Sequence, residues 1–461
     1  MSEAPFDLAI IGGGIGGYTA ALRAARRGMR VLLAEREHLG GVCLNAGCIP
    51  TKTMLHDAKL YRDAASGAYG MAFDGLRPDY AKLLARKTSV VTGLRDGLRG
   101  VLESAGVHLV AGTARLTAPD TLVVTASEGS QRFASRSVLV ASGSRPIRFR
   151  VPGADLPGVL DTTAILSRPV LPRQLVIIGA SVSGMEFACL FQALGAQVTV
   201  LDREFFIREA DQQLAKRLQT RLRQSGMVIR IGVEVECIER AGDALRVTYS
   251  ERGETSGAEG DAVLVAIGRV PESSSLGLAE LGAAYNGPTI AVDAQLRTTL
   301  PGVYAAGDCI GGMMLAHVAG YESDVALRNI LGEPTAADYR VVPACVYTLP
   351  EIAGVGLNEA QAKARGIAHR VTRYPLSANG RVQSLGEPEG QIRLLADEAG
   401  VLIGAQLYGE GVSELVAECA LAIRLGASVR DVAETIHAHP TLSEAVAEAA
   451  ALHDVPRKAL L

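Results

Sequence analysis

Short apolar runs that break on glycine dominate the pattern of the chain. The first, residues 8–11, leads into Gly12-x-Gly14-x-x-Gly17, then an Ala-rich stretch, then a second run at 31–34 closed by Glu35. This order predicts strand, glycine turn, helix and strand, a βαβ unit. Gly12 suits the tight turn, Gly14 the close approach of a pyrophosphate, and Gly17 the packing of helix on strand. Glu35 stands 23 residues beyond Gly12, where a carboxylate can accept hydrogen bonds from a ribose. The layout returns at 174–204, where Gly179 opens the turn, Gly184 closes it and Asp202 lies 23 residues beyond Gly179. Ser181 replaces the middle glycine and adds a Cβ, although its hydroxyl can donate to a phosphate oxygen. The acid at the strand end favours an unphosphorylated ribose and hence NAD(H), whereas Arg203 beside it could meet a 2′-phosphate; the acid is given more weight.

Two more apolar runs end in glycine, SVLVASGSRP at 137–146 and DAVLVAIGRVP at 261–271, each closing the region after one βαβ unit. A short run at 303–306 ends in Gly307-Asp308. From about residue 345, strand-like segments at 391–395, 401–405 and 406–408 precede a long Ala/Leu helix at 412–425, which predicts an α+β unit. The expected fold class is therefore α/β, with two Rossmann-like dinucleotide domains and a C-terminal α+β domain.

Composition narrows the function classes. The 461 residues suggest about three domains. Hydrophobic residues at 48% and charged ones at 21% are globular values. Lys and Arg number 46 against 49 Asp and Glu, a net charge of −3 that offers no footprint for nucleic acid. Every apolar stretch is interrupted well before the ~18 residues of a membrane span. A soluble protein with no membrane partner is expected. The start of the chain, with Glu3 and Asp7 and no basic residue before the first apolar run, is unlike a secretory signal or transit peptide, so the cytoplasm is the expected location. Seven cysteines, an odd count, fit reduced thiols with at most one purposeful pair.

The segment GGVCLNAGCIPTK, residues 40–52, holds that candidate pair, Cys43 and Cys48. Five residues apart on a regular helix, their Cα atoms would lie ~8–9 Å from each other, beyond the ~7 Å that a disulfide tolerates. A disulfide here needs a distorted turn, and Gly47 and Pro50 are the residues that would permit one near a helix start. Helix N-terminal amides would also depress a thiol pKa. Two small buried thiols remain the alternative. Cytosolic disulfides, where they form, are usually catalytic, which tilts the reading towards redox work.

GGVCLNAGCIPTK, VLVAIGRVP at 263–271, GVYAAGD followed by MLAH at 302–317, YTLPE at 347–351 and IHAHPTLSEA at 436–445 together resemble the flavin-containing pyridine nucleotide–disulfide oxidoreductases, most closely their dihydrolipoamide dehydrogenase branch. The resemblance covers essentially the whole chain. It implies FAD-binding segments at 1–147 and 273–343, an NAD-binding domain at 148–272 and a C-terminal dimerisation domain at 344–461. It further implies FAD held by Gly12, Gly14, Gly17 and Glu35, with Asp308 at the ribityl and phosphate region and Ala114, Gly143 and Ala316 completing the site. Lys52, one helical turn after Cys48, would lie beside the isoalloxazine and pair with Glu186. NAD would be held by Gly179, Ser181, Gly184, Glu186, Asp202, Val235 and Gly268.

His439 suits a base for thiol–disulfide interchange, because an imidazole can take a thiol proton at neutral pH. Glu444, five residues on, can orient the ring and stabilise the imidazolium. A His-x-His pair can also hold a metal, but no Cys or carboxylate cluster stands at ligand spacing, so no metal is expected and His437 is read as structural. The resemblance implies a homodimer in which this segment meets the partner subunit's disulfide. It also implies that lipoyl domains and the subunit-binding domain of an acyltransferase core are partners, within 2-oxoacid dehydrogenase or glycine cleavage complexes. The expected reaction oxidises dihydrolipoyl groups to lipoyl and reduces NAD+ through the Cys43–Cys48 disulfide and FAD. The alternatives are a reductase of another small disulfide such as glutathione, against which Asp202 and the CLNxGCIP form weigh, and a mainly structural docking component. The chain departs from its relatives at Ala46, Thr51, Ser181 and Glu272, and the closing RKALL carries no cysteine pair like that of mercuric reductases. Cys189, Cys237, Cys309, Cys345 and Cys419 have no partner at motif spacing and are read as packing thiols.

Overall fold

The structure, a computed structural model, describes residues 4–454. The closing RKALL segment lies outside them.

The first sheet begins with β1 (Phe6–Ile11), followed by α1 (Ile15–Arg26) and β2 (Val31–Glu35). The chain then passes through α2 (Gly41–Ala46), α3 (Cys48–Ala65) and α4 (Tyr80–Ser104) before β3 (His108–Ala111). β1, β2 and β3 pair in parallel, as a βαβ connection requires. Residues Leu8 to Ile11 are all buried, which is why the strand reads as an unbroken apolar run rather than an alternating one. β4 (Thr113–Ala118) and β5 (Thr121–Ala126) form an antiparallel meander with the first half of β6 (Gly129–Val140). The second half of β6 lies parallel to β1, and its other side takes the strand Val303–Ala305, which returns the chain to this sheet.

The second unit repeats the plan. Strands Gln174–Ile178, Gln197–Asp202, Val228–Ile231, Ala262–Val265 and Val159–Asp161 form a parallel sheet, and an antiparallel meander spans Val233–Ala241, Ala244–Glu251 and Glu254–Gly260. The helix Val182–Ala193 is largely apolar, Glu186 apart, and mostly buried, since one face meets its own sheet and the other meets α3. Met54, Leu55 and Ala58 of α3 share a core with Met185, Phe187 and Ala188 of that helix. The two units are also joined at their glycine exits, where Ser144–Pro146 and Arg269–Pro271 pair antiparallel.

The third unit is a five-stranded antiparallel sheet of Ala344–Val346, Glu351–Gly356, Leu402–Gly409, Gly390–Asp397 and His369–Pro375, in that order. The segments read as 401–405 and 406–408 are one strand. Gln406 continues it as a buried polar residue because it packs over Gly354, where a Cβ would come 2.4 Å from the Gln406 Oε1. The helix Val412–Leu425 lays Val412, Leu415, Val416, Cys419 and Ala422 on the sheet, the spacing of one apolar face. Leu421 and Leu425 point away from it and are exposed, as is Ile436 at 97%.

Among the described residues no helix is long and apolar enough to cross a membrane, and no group of three or more His, Cys, Asp or Glu side chains could hold a metal ion.

Candidate active site

The cysteine pair sits where the helix breaks. α2 ends at Ala46, Gly47 takes φ −140° and ψ −112°, and α3 starts afresh at Cys48. A Cβ at Gly47 would come 3.0 Å from the Val42 carbonyl oxygen and 3.3 Å from the Cys43 Cα, so this distortion suits glycine. It brings the two thiols into hydrogen-bond contact, which five residues of regular helix would prevent. That contact, with burial acting the same way, pushes the Cys43 thiol far up. It pulls Cys48 down to about 7, burial opposing, Lys52 helping and Glu186 opposing. The pair is thus asymmetric. Cys48, at the start of α3 and one turn from Lys52, is the thiol that its surroundings favour as the thiolate.

Lys52 follows one turn after Cys48 on α3, and its Nζ lies 2.5 Å from Glu186 Oε2. Glu186 comes from the buried helix of the second unit, and its Oε1 accepts the Tyr347 N–H at 3.1 Å. The Lys52 ammonium also stands 4.6 Å above the Tyr347 ring. A second polar group lies close by. Asp308 Oδ2 accepts the Ser144 hydroxyl at 2.5 Å, and Arg269 donates to the Ser144 Oγ at 2.8 Å and to its carbonyl at 2.6 Å. Burial lowers the Arg269 pKa, against the pull of Asp308, Asp161 and Cys48, so this guanidinium and the thiols share one electrostatic neighbourhood. Arg269 and Tyr347 lie inside the GRVP and YTLPE segments, but nothing in their spacing signalled a place beside the thiols.

The two glycine turns match at the level of atoms. Gly12 and Gly179 adopt φ 103° and 110°, and a Cβ on either would lie 2.3 Å from the carbonyl oxygen of Ala141 or Ala266. At Gly17 and Gly184 a Cβ would fall 1.8 and 2.0 Å from the Gly12 and Gly179 oxygens. Glu35 accepts the Gly13 and Glu37 N–H groups, both at 2.7 Å. Asp202 accepts those of Ala180, Glu204 and Phe205 at 2.7, 2.8 and 3.0 Å. A Cβ at Gly14 would meet only the Gly41 Cα, at 3.8 Å, so the backbone here is open to a phosphate group. A cavity beside this turn is lined by Glu35, Ala114, Ser142 and Glu272. These residues fit the adenosine half of FAD, and the Ala316 N–H opens a 15-residue helix whose start suits negative charge.

The second turn borders a cavity of about 580 Å³ lined by Ser181, Asp202, Val235 and Ala266, which fits a second nucleotide. Ser181 is turned inward, its hydroxyl donating to the Ala266 carbonyl at 3.0 Å. The glycine exits hold each other through the Ile147 N–H to Gly268 at 3.0 Å and the Glu272 N–H to Gly143 at 2.9 Å. Glu272 therefore stands at the first nucleotide cavity.

His439 lies elsewhere. Its Nδ1 is 2.8 Å from Glu444 Oε1, and its side chain is 79% exposed. The Thr441 N–H and the imidazole hold Glu444 below the usual carboxylate range. The neighbouring His437 is fixed between the Thr435 carbonyl and Glu418, which together outweigh burial and raise its pKa. Among the described residues no hydrogen bond or ion pair joins His439 to either thiol within one chain. Burial pushes Cys189 and Cys419 up to about 12 and Cys309 and Cys345 up to about 11, as expected of packing thiols.

Residues 6–323 match the pyridine nucleotide-disulphide oxidoreductase family and residues 342–450 its dimerisation domain. A dihydrolipoyl dehydrogenase of Geobacillus stearothermophilus is 38% identical over 446 residues, covering 96% of this chain and 94% of the relative. One of Halobacterium salinarum is 39% identical over 453 residues, covering 96% and 95%. Among solved structures, LpdA of Mycobacterium tuberculosis superposes with a TM-score of 0.90 at 30% identity, covering 96% of this chain and 98% of that one. The HOCl-induced flavoprotein disulfide reductase RclA of Escherichia coli gives 0.88 at 28% identity, covering 97% and 100%. The paired thiols, the duplicated glycine turns and these matches agree: the chain is an FAD-dependent, NAD(H)-linked member of the pyridine nucleotide–disulfide oxidoreductase family.

Proposed function

We propose that the chain is a dihydrolipoyl dehydrogenase, oxidising dihydrolipoyl groups and reducing NAD+ through a Cys43–Cys48 disulfide. The observation that carries this reading is the thiol pair held together at the broken helix, with Lys52 one turn after Cys48 and paired with Glu186. One dihydrolipoyl thiolate attacks the Cys43 sulfur, the Cys43–Cys48 bond breaks, and Cys48 leaves as a thiolate. His439 takes the proton of the second lipoyl thiol. That sulfur closes on the first, releasing Cys43, which recovers the proton. Glu444, on Nδ1 of the ring, leaves Nε2 free for this transfer and stabilises the imidazolium. When bound, FAD supplies the two-electron relay between the dithiol and NAD+.

Within one chain His439 faces solvent, so the reading places it against the thiols of a second copy. The exposed Leu421, Leu425 and Ile436, worth ~1.5–3 kcal/mol each on burial, support an association through the third unit. In this reading residues 1–147 and 273–343 serve FAD, 148–272 serve NAD and the remainder forms the dimer. The proposal extends to lipoyl and subunit-binding domains of an acyltransferase core as partners and to work in the cytoplasm. Steady-state assays of the yellow protein with dihydrolipoamide plus NAD+, and with glutathione disulfide plus NADH, test it. Fast NAD+ reduction with negligible glutathione reduction is expected. The reverse preference would replace dihydrolipoamide by a soluble disulfide.

A further inference from the structure

The mouth of the second nucleotide cavity carries two arginines that the ribose of NAD does not need. Arg203 follows directly after Asp202, and Arg208 lies one turn of chain further on, with its guanidinium 4.1 Å from the Phe205 ring centroid. Guanidinium groups in this position are the natural receivers of a 2′-phosphate, since their forked donors match phosphate oxygens. Both, however, converge on one carboxylate. Glu204 Oε1 lies 3.2 Å from Arg203 Nη2, and Oε2 lies 2.6 Å from Arg208 Nη2. Arg203 is also 4.0 Å from Glu234.

These pairs are more than half exposed on the arginine side and add little stability. Their weight is in local charge. Asp202, Glu204, Glu209 and Glu234 line the cavity with Arg150, Arg203 and Arg208, so carboxylates outnumber guanidiniums and a phosphate dianion would approach net negative charge. Asp202 itself is held by three backbone N–H groups.

We propose that Glu204 is a specificity-determining residue of this site: by engaging Arg203 and Arg208 together it denies NADP(H) a 2′-phosphate receptor that the sequence would otherwise supply. The inference rests on the reading of this cavity as the NAD site. Asp202 alone does not make the selection. It recognises the unphosphorylated ribose, and Glu204 silences the groups that would recognise the phosphorylated one.

The test compares kcat/KM for NADP+ and NAD+, with dihydrolipoamide as donor, in the wild type, Glu204→Gln, and Glu204→Gln with Arg203→Met and Arg208→Met. Inhibition of NADH-dependent flavin reduction by 2′,5′-ADP and by 5′-ADP gives a readout that does not depend on turnover. The expected result is a rise of roughly tenfold or more in the NADP+/NAD+ ratio for Glu204→Gln, mostly through KM for NADP+ and with matching tighter inhibition by 2′,5′-ADP. The gain shrinks with added salt and disappears in the triple variant. An unchanged ratio in Glu204→Gln, or a gain that survives loss of both arginines, would overturn the proposal while wild-type NADH use leaves the underlying reading intact. A wild-type protein whose flavin NADH cannot reduce would sink the two together.

Discussion

Lys52 and Glu186 should be strongly unequal partners. Replacing Lys52 by Met strips the ammonium from a carboxylate that is only 6% exposed and leaves it a single further hydrogen bond, from the Tyr347 N–H at 3.1 Å. Breaking a buried pair in this way costs ~3–5 kcal/mol, and because Lys52 itself is 30% exposed the lower end, about 3, applies. Glu186→Gln is milder. The amide still accepts the Tyr347 N–H, and the ammonium keeps its place over the Tyr347 ring and its access to water, so about 1–2 kcal/mol is expected. In the double variant no charge is left unpaired, and the loss should fall well below the sum of the singles, with a coupling of at least about 1.5 kcal/mol. Urea unfolding of the holoenzyme, followed by circular dichroism, measures all three. The thiol supplies a readout that mere destabilisation would not move. Lys52 lowers the Cys48 pKa and Glu186 raises it, so the single variants should shift Cys48 ionisation in opposite directions, upward for Lys52→Met and downward for Glu186→Gln. Equal stability losses that simply add, or shifts of the same sign, would mean that Lys52 and Glu186 do not act as a buried pair beside Cys48.

In a Cys43→Ser variant, where a hydroxyl keeps the hydrogen bond, alkylation of Cys48 by iodoacetamide should rise through a midpoint near pH 7; in Cys43→Ala the midpoint should move up. The sign follows from a depressed acid: thiolate stabilisation is full above the ordinary thiol range and is lost as pH falls through about 7. Arg393 is 1% exposed and ties Asp211, at 2.9 Å, to Glu359, at 3.1 Å, across the second and third units. Arg393→Met should cost about 3 kcal/mol rather than more, because Asp211 keeps two backbone N–H partners and Glu359 keeps Lys363 and Arg373; urea unfolding checks this. Gly17→Ala forces a methyl against the Gly12 carbonyl and should yield protein poor in flavin. Gly184→Ala should instead leave flavin content intact and weaken reduction by NADH, as absorbance spectra before and after NADH addition would report.

The duplicated units were legible because their constraints are local. A Cβ at Gly12 or Gly179 collides with backbone, and an acid 23 residues on marks the end of the second strand, so spacing alone carries the information. The break between Cys43 and Cys48 was legible for a similar reason, since Gly47 and Pro50 sit where a regular helix would hold the thiols apart. What surrounds the pair was less so. Arg269, Ser144 and Tyr347 come from segments 96 to 299 residues away from Cys48, and their approach depends on the pairing of the two glycine exits and on the burial of one helix between two units. Leu402–Gly409 runs as one strand through the polar Gln406, whose burial depends on Gly354 in a neighbouring strand and so on no local pattern. The sequence placed His439 beside Glu444, and the exposure of the His439 ring within one chain is a property of packing alone.

The role of Cys43 is tested most directly by turnover of dihydrolipoamide and NAD+ in Cys43→Ser, measured alongside reduction of its bound flavin by NADH. Turnover should fall to background while NADH still reduces the flavin, since thiol exchange needs the Cys43 sulfur and the nucleotide half does not. Lipoamide activity that survives in Cys43→Ser would contradict that role.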